Sequence, residues 1–235
     1  LALPLAWAGV LGRRSVDTRI YRSSIVPPEG LRLAGPPAGR FALSPDGVRL
    51  AFVASAAGGR PMLWVRRLDS LTAQPLVGTE GAAFPFWSPD SRFIAFLAQR
   101  KLKTIDAAGG PTATLGDAAF GATGAWSMDD VILFTPSGES PLYRVSAAGG
   151  TSSRVTTLDA ASGDSQHTYP VFLPDSRHFL YLVQGSKSGG VFEPRGVYVG
   201  SLDPREPSKQ LLQSGFNAKY AQGHLVFLRD HTPMA

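Results

Sequence analysis

Short apolar runs separated by turn-forming residues return at a regular spacing along the chain. The first runs from Phe41 to Ala54, FALSPDGVRLAFVA, and predicts a strand, a tight turn and a second strand. Variants of it occupy residues 84–98, 125–135 and 171–183. A repeat of roughly 40–45 residues is typical of β-propellers, in which each repeat forms one four-stranded blade. The pattern therefore predicts an all-β fold, a β-propeller of four-stranded antiparallel blades.

The first turn, residues 44–47, combines residues that suit a tight reversal. Proline presets φ at the second position, aspartate at the third can bond back to the backbone, and glycine at the fourth accepts a left-handed conformation. Gly47 is replaced by Ser91, Asp130 and Ser176 in the other copies, which predicts some strain or another turn type there. We assign a structural role to these turn residues: Ser44, Pro45, Asp46, Gly47, Ser88, Pro89, Asp90, Asp129, Pro174 and Asp175.

The repeats divide most of the chain into about four complete blades and part of a fifth. We predict blades at 41–81, 82–119, 121–161 and 166–215, and two strands of a further blade in 217–235. We interpret them as part of a ring of roughly six to eight blades. Residues 50–54 are apolar at both alternating sets of positions, so both faces of that strand should pack against neighbouring elements. Residues 185–195 are rich in Gly and Ser and predict a surface loop in the fourth blade.

The N-terminal segment, residues 1–14, has a different character. Leu1–Gly12 is uniformly apolar and Arg13 and Arg14 follow it, yet a bilayer-spanning helix needs about 20 apolar residues. The segment predicts either the end of a transmembrane helix or the apolar core of a signal peptide. The position of the charges after the apolar run favours the helix, and hence a membrane tether. Residues 15–39 then form a linker in which 18–26 is a candidate ring-closing strand, and residues 40–235 form the propeller.

Composition excludes several classes of function. The net charge is +5, but the basic residues are scattered along the chain, so we predict no nucleic-acid partner. The absence of cysteine excludes disulfides, thiolate metal sites and a cysteine nucleophile. No Gly-x-Ser-x-Gly motif is present, and the four histidines lack metal-ligand spacing. We predict no catalytic residue, cofactor site or metal site in these 235 residues.

One pair of residues is a candidate for ligand contact. His167 and Tyr169 lie next to the predicted first strand of the fourth blade, and first strands line the central channel of a propeller. The alternative for His167 is a hydrogen-bonded loop residue. The turn carboxylates are not candidates for a calcium site, because each belongs to a separate blade and has a local backbone role.

Several segments resemble known bacterial proteins. The Ser-Pro-Asp-Gly turn followed by an apolar strand is similar to the TolB-like, WD-repeat-like propellers of bacteria. The segments Ile25–Gly30, Phe84–Phe93, Lys101–Asp106, Pro141–Gly150 and Pro170–Tyr181 resemble the linker and C-terminal propeller of transmembrane serine/threonine protein kinases. The resemblance extends over nearly the whole chain.

This resemblance implies a cytoplasmic kinase domain, one membrane helix and an extracytoplasmic, periplasmic propeller that senses or binds a partner. The 235 residues contain none of the kinase motifs, so any kinase activity would belong to sequence outside them. The implied partner is a protein or peptide, with a small molecule as a second class of ligand. Two alternatives stay open: a TolB-like periplasmic scaffold, and the gating propeller of a peptidase whose catalytic domain lies elsewhere.

Overall fold

The structure, a computed structural model, describes residues 26–36, 39–119, 121, 123–186, 192–221, 223–229 and 232–235. The described elements are strands, arranged in five separate antiparallel sheets. The first sheet contains β1 (Leu31–Leu33), β2 (Phe41–Leu43), β3 (Arg49–Ala56), β4 (Met62–Arg67) and β5 (Ala73–Pro75). Both β1 and β2 pair with β3, one after the other along the same edge.

The next two sheets each have four strands in sequential order. The second contains β6 (Ala83–Trp87), β7 (Phe93–Ala98), β8 (Lys101–Asp106) and β9 (Ala113–Asp117). The third contains β10 (Gly124–Trp126), β11 (Val131–Phe134), β12 (Tyr143–Ser146) and β13 (Ser153–Arg154).

The last two sheets differ in size. The fourth contains β14 (Asp164–Phe172), β15 (His178–Ser186), β16 (Phe192–Ser201) and β17 (Lys209–Leu212). The fifth contains β18 (Lys219–Ala221), β19 (His224–Arg229) and β20 (Thr232–Met234). The prediction of an all-β propeller with four-stranded antiparallel blades is thus confirmed, and a short third strand extends the two predicted for the fifth sheet.

Apolar clusters between successive sheets hold the blades together. Leu50, Phe52 and Ala54 of β3 face one cluster, whereas Ala51 and Val53 face the cluster shared with the second blade. The predicted two-sided burial of this strand is therefore confirmed. Further clusters join the second blade to the third, the third to the fourth and the fourth to the fifth. Burial of apolar surface at about 25 cal/mol per Å² makes these interfaces the main source of stability.

One local expectation differs from the structure, and others lie outside the described residues. The predicted loop at 185–195 is partly a hairpin, because Gly185 pairs with Glu193 and Ser186 with Phe192. Hydrogen bonding between the two chain segments overrides the loop-like composition. The linker also supplies β1, whereas residues 18–25 of the candidate ring-closing strand at 18–26 lie outside the described part of the chain, as does the predicted tether at 1–14. Among the described residues, no helix has the length and apolarity that crossing a bilayer requires.

Candidate functional site

The innermost strands of the five blades surround a central channel. A cavity of about 1110 Å³ lies between β2, β6, β10, β14 and β18. Aromatic and aliphatic side chains dominate its wall, including Phe41, Leu43, Phe86, Tyr169, Phe172 and Tyr220. Leu43 is 55% exposed and Phe41 50% exposed, which is unusual for large apolar residues. An open, apolar concavity of this size is suited to binding a ligand.

Two backbone bulges shape the channel wall. Phe84 and Tyr169 occupy the same position in the second and fourth blades, each precedes a proline, and each has a φ of 52°. The strand register shifts at both places. A positive φ is unfavourable for bulky aromatic residues, so the surrounding structure must hold these two positions. The N–H of Tyr169 donates to the Thr123 hydroxyl at 2.7 Å, which fixes one bulge to the neighbouring blade.

Glycines of neighbouring blades receive the aromatic rings. A Cβ atom at Gly39 would lie 2.5 Å from the ring of Phe84, and one at Gly124 would lie 2.5 Å from the ring of Phe86. Real Cβ atoms do not come so close to ring carbons. The two glycines therefore allow β6 to pack its phenylalanines directly on the backbone of the blades on either side.

Lys219 gives the channel a positive charge. Among the described residues that line this cavity, Lys219 is the only charged one. It comes from β18 of the fifth blade. Its side chain is open to solvent within the channel, yet partial loss of hydration lowers the pKa of its amine below the usual range. The wall thus combines aromatic surface with a single cation, an arrangement suited to apolar groups that carry a carboxylate.

His167 does not line the channel. It lies within β14 rather than before it, and its side chain is only 2% exposed. Its Nδ1 lies 2.7 Å from the Thr156 hydroxyl, and its ring centroid lies 4.9 Å from that of Tyr181. The Thr156 hydroxyl also accepts the Leu142 N–H at 2.9 Å. The residue therefore belongs to the wall between the third and fourth blades, whereas Tyr169 does line the cavity.

Burial determines the protonation state of His167. Loss of hydration lowers the pKa of its imidazole to about 4, although Asp164 opposes this effect. The Nε2 atom has no hydrogen-bond partner, and the Asp164 carboxylate lies 3.7 Å away. His167 is consequently neutral at neutral pH and acts as a structural residue, with its carbonyl accepting the Thr135 hydroxyl at 2.9 Å.

The four turns share one geometry. Gly47, Ser91, Asp130 and Ser176, at the fourth position, all have φ between 56° and 72°. In the first turn the Asp46 carboxylate accepts the Val48 N–H at 2.9 Å, and in the second the Asp90 carboxylate accepts the Arg92 N–H at 3.0 Å. Asp175 likewise accepts the N–H of Arg177 at 3.1 Å.

The serines at the fourth position also connect neighbouring turns. The Ser91 hydroxyl accepts the Asp46 N–H at 3.1 Å, and the Ser176 hydroxyl accepts the Met128 N–H at 3.2 Å. The sequence indicated strain at these serines but gave no sign of bonds to the preceding blade. In the described part of the chain, no three acidic or histidine side chains are grouped as metal ligands.

Comparison with solved structures identifies the architecture. TolB from Acinetobacter baumannii superposes with a TM-score of 0.61 at 16% identity, over 80% of this chain and 47% of that protein. A putative TolB from Agrobacterium tumefaciens gives 0.63 at 18% identity, over 76% and 66% of the two chains. Acylaminoacyl peptidase from Pyrococcus horikoshii gives 0.53 at 16% identity, over 81% and 35%.

Comparison at the level of sequence found no relative. No protein-family model matches the chain, and no curated protein matches it. The chain spans about half of the Acinetobacter TolB and two thirds of the Agrobacterium protein. At identities of 15–20% such likeness defines the fold and not the activity. The five sheets, their common channel and these superpositions together show a β-propeller fold similar to that of TolB.

Proposed function

We propose that this propeller is a non-catalytic binding domain whose central channel receives an apolar peptide segment with an acidic group. The observation that carries the proposal is the cavity of about 1110 Å³, open to solvent and lined by Phe41, Leu43, Tyr169 and Tyr220. Exposed aromatic side chains supply large contact area at low entropic cost. Lys219 supplies the charge that would orient a carboxylate.

The strained bulges support a binding role for this wall. Phe84 and Tyr169 each have a φ that costs of order 1–3 kcal/mol for a bulky residue, and such positions cluster at ligand sites. The same aromatic-proline bulge occurs in two blades, both times at the channel. Because the bulges interrupt the regular strand register and face the channel, their strain supports a role for the surface that they present there.

We further propose that the domain is the extracytoplasmic, periplasmic sensor or protein-interaction domain of a membrane serine/threonine kinase. This proposal depends on the sequence resemblance of the linker and blade motifs, and on the apolar segment at 1–14. Ligand binding in the channel would be transmitted through the linker, which supplies β1 of the first blade. A TolB-like periplasmic scaffold and a peptidase gating propeller are the competing assignments.

Panning a random peptide library against the purified chain tests the channel. The wild-type protein should enrich peptides that combine apolar and acidic residues, and Leu43→Glu and Tyr169→Ala should each weaken binding of the selected peptides by tenfold or more, at about 1.4 kcal/mol per tenfold. Leu71→Glu is the matched control, because Leu71 is 94% exposed and lies outside the channel lining. Equal binding by the wild-type protein and both channel variants would refute the proposal.

The gene upstream of Leu1 separates the competing assignments. A reading frame with His-Arg-Asp and Asp-Phe-Gly motifs and an apolar run joining Leu1 would support the membrane kinase. A start codon and a short basic segment directly before Leu1 would instead support an exported scaffold. A Gly-x-Ser-x-Gly motif downstream of Ala235 would support the peptidase.

A further inference from the structure

A second concave surface lies between the second and third blades, on the face that carries the turns. This inter-blade groove has a volume of about 580 Å³. Its floor includes Leu115, which is 5% exposed, and Thr104, which is 7% exposed. Its sides are formed by Phe93 and Trp126, and Met128 at the edge is 73% exposed. The groove is therefore apolar within and accessible from solvent.

The groove exists because this blade interface lacks two bonds that close the preceding one. Between the first and second blades, the Trp87 indole N–H donates to the Ala42 carbonyl at 2.9 Å, and Ser91 accepts the Asp46 N–H. At the corresponding positions of the third blade, the Trp126 indole N–H donates to the Asp130 carboxylate at 3.1 Å. Both groups that could reach back to the second blade are thus bonded within their own blade.

Bonding within the third blade gives the Trp126 ring a fixed orientation at the groove. It stacks on Phe93 of the second blade with 6.3 Å between ring centroids and 22° between planes. Ala147 and Ala148 of the turn between β12 and β13 line the opposite part, where their short side chains leave space. A preformed aromatic wall next to an open apolar floor accommodates one medium-sized side chain with little reorganisation.

The charge at the groove is negative, in contrast to the net charge of +5 for the chain. The charged residues that line it, among those the structure describes, are Asp90 and Asp130. A hydrogen bond from Ser88 lowers the pKa of Asp90, which keeps this carboxylate ionised. Arg92 lies over the Phe93 ring and is paired with Asp106 at 3.2 Å. A cationic partner is therefore favoured at the rim.

We propose that the inter-blade groove binds a peptide segment in which an apolar side chain is flanked by lysine or arginine. The apolar side chain enters between Trp126 and Leu115, and the basic groups contact the carboxylates of Asp90 and Asp130. This site does not depend on the ligand proposed for the channel, whose charge preference is the opposite.

Methyl NMR of the full chain offers a direct test, because the three methionines are Met62, Met128 and Met234 and only Met128 lines the groove. The probe is the acetylated and amidated tripeptide arginine-leucine-arginine, for which we expect a Kd on the order of 1 mM. The Met128 methyl signal should shift and saturate while the other two stay fixed. The glutamate-leucine-glutamate and arginine-glycine-arginine peptides should produce at least tenfold smaller shifts.

Variants connect the shift to the groove. Ala113→Trp, at an exposed strand position that lines the groove, should abolish the Met128 shift by filling the space. The double change Asp90→Asn and Asp130→Asn retains oxygen acceptors and should weaken binding about tenfold. An unshifted Met128 signal in the folded wild-type protein, or equal shifts with the charge-inverted peptide, would overturn the proposal.

The channel variant Leu43→Glu separates this inference from the proposed function. The Met128 shift should be unchanged in that variant, because Leu43 lines the channel and not the groove. Loss of the shift in Leu43→Glu would overturn the separate site while leaving the channel proposal intact. A preserved Met128 shift in a protein whose channel selects no peptide would refute the channel proposal and leave the groove proposal intact.

Discussion

The hydroxyl of Ser91 in the second blade accepts the backbone N–H of Asp46 in the first blade at 3.1 Å. The Ser91 backbone carbonyl also accepts a hydrogen bond from the Arg49 guanidinium. Ser91 replaces glycine at the fourth turn position, where serine is conformationally unfavourable. The same residue joins two blades at their turns. Ser91 adopts a φ of 62° at that position, which is an unfavourable backbone conformation for a residue other than glycine.

Two substitutions at Ser91 separate the hydrogen bond from the backbone strain. Ser91→Ala removes the bond and keeps the strain, so we expect a loss of about 1 kcal/mol in the free energy of unfolding. Ser91→Gly removes both, because glycine adopts a positive φ readily, and should cost less than the alanine variant. Urea denaturation of the two variants measures the difference. A more stable Ser91→Ala than Ser91→Gly would contradict this account.

The close approach of Gly124 to the Phe86 ring predicts a strong effect of a single methyl group. A Cβ atom would lie 2.5 Å from the ring, so Gly124→Ala should lower the free energy of unfolding by about 1–3 kcal/mol through overpacking. Gly116→Ala is a matched control in β9, because no atom lies within 4 Å of its added Cβ. Thermal unfolding of both variants tests this.

The same contact offers a rescue experiment. Phe86→Ala in the Gly124→Ala background removes the clash, so the double variant should lose less stability than the sum of the two single variants. Strict additivity would show that the ring and the new methyl group do not meet.

Burial of His167 predicts a loss of stability in mild acid. In the unfolded chain this histidine takes up a proton below about pH 6.5, whereas in the folded chain its pKa is about 4. The unfolded state therefore binds more protons as the pH falls from 6.5 to 4. Over that window the free energy of unfolding should decrease by up to about 3 kcal/mol from this group.

Comparison with His167→Gln isolates this contribution, because glutamine cannot take up the proton. The variant should show a shallower decline of stability between pH 6.5 and 4, whatever its stability at neutral pH. The matched change His224→Gln, at an exposed position that begins β19, should retain the steeper decline of the wild-type protein. Equal slopes for all three proteins would contradict the buried neutral state of His167.

His178 should titrate in the opposite direction. Its Nδ1 lies 2.5 Å from Asp175 and its Nε2 lies 2.9 Å from Glu206, and these bonds raise the pKa of the imidazole above 6.5. The resulting stabilisation is complete below about pH 6.5 and is lost as the pH rises through the folded-state pKa. NMR titration should show a higher pKa for His178 than for His167, and Glu206→Gln should lower the former.

The sequence determined the fold and its turns, because these depend on local sterics and on apolar periodicity. Pro45, Asp46 and Gly47 fit their turn positions by their own conformational preferences, and alternating apolar residues in β3 require cover on both faces. The same reasoning placed both His167 and Tyr169 beside the channel, but only Tyr169 lines the cavity.

The contacts between residues of neighbouring blades could not be predicted from the sequence and became apparent in the folded structure. The bonds from Ser91 to Asp46, the packing of Phe86 on Gly124, and the burial of His167 against Thr156 all join residues on different blades. Such contacts depend on the bulges, twist and approach of whole blades, and a one-residue shift reverses the direction of a side chain. The channel and the inter-blade groove are spaces between blades, so they exist only once the blades have packed.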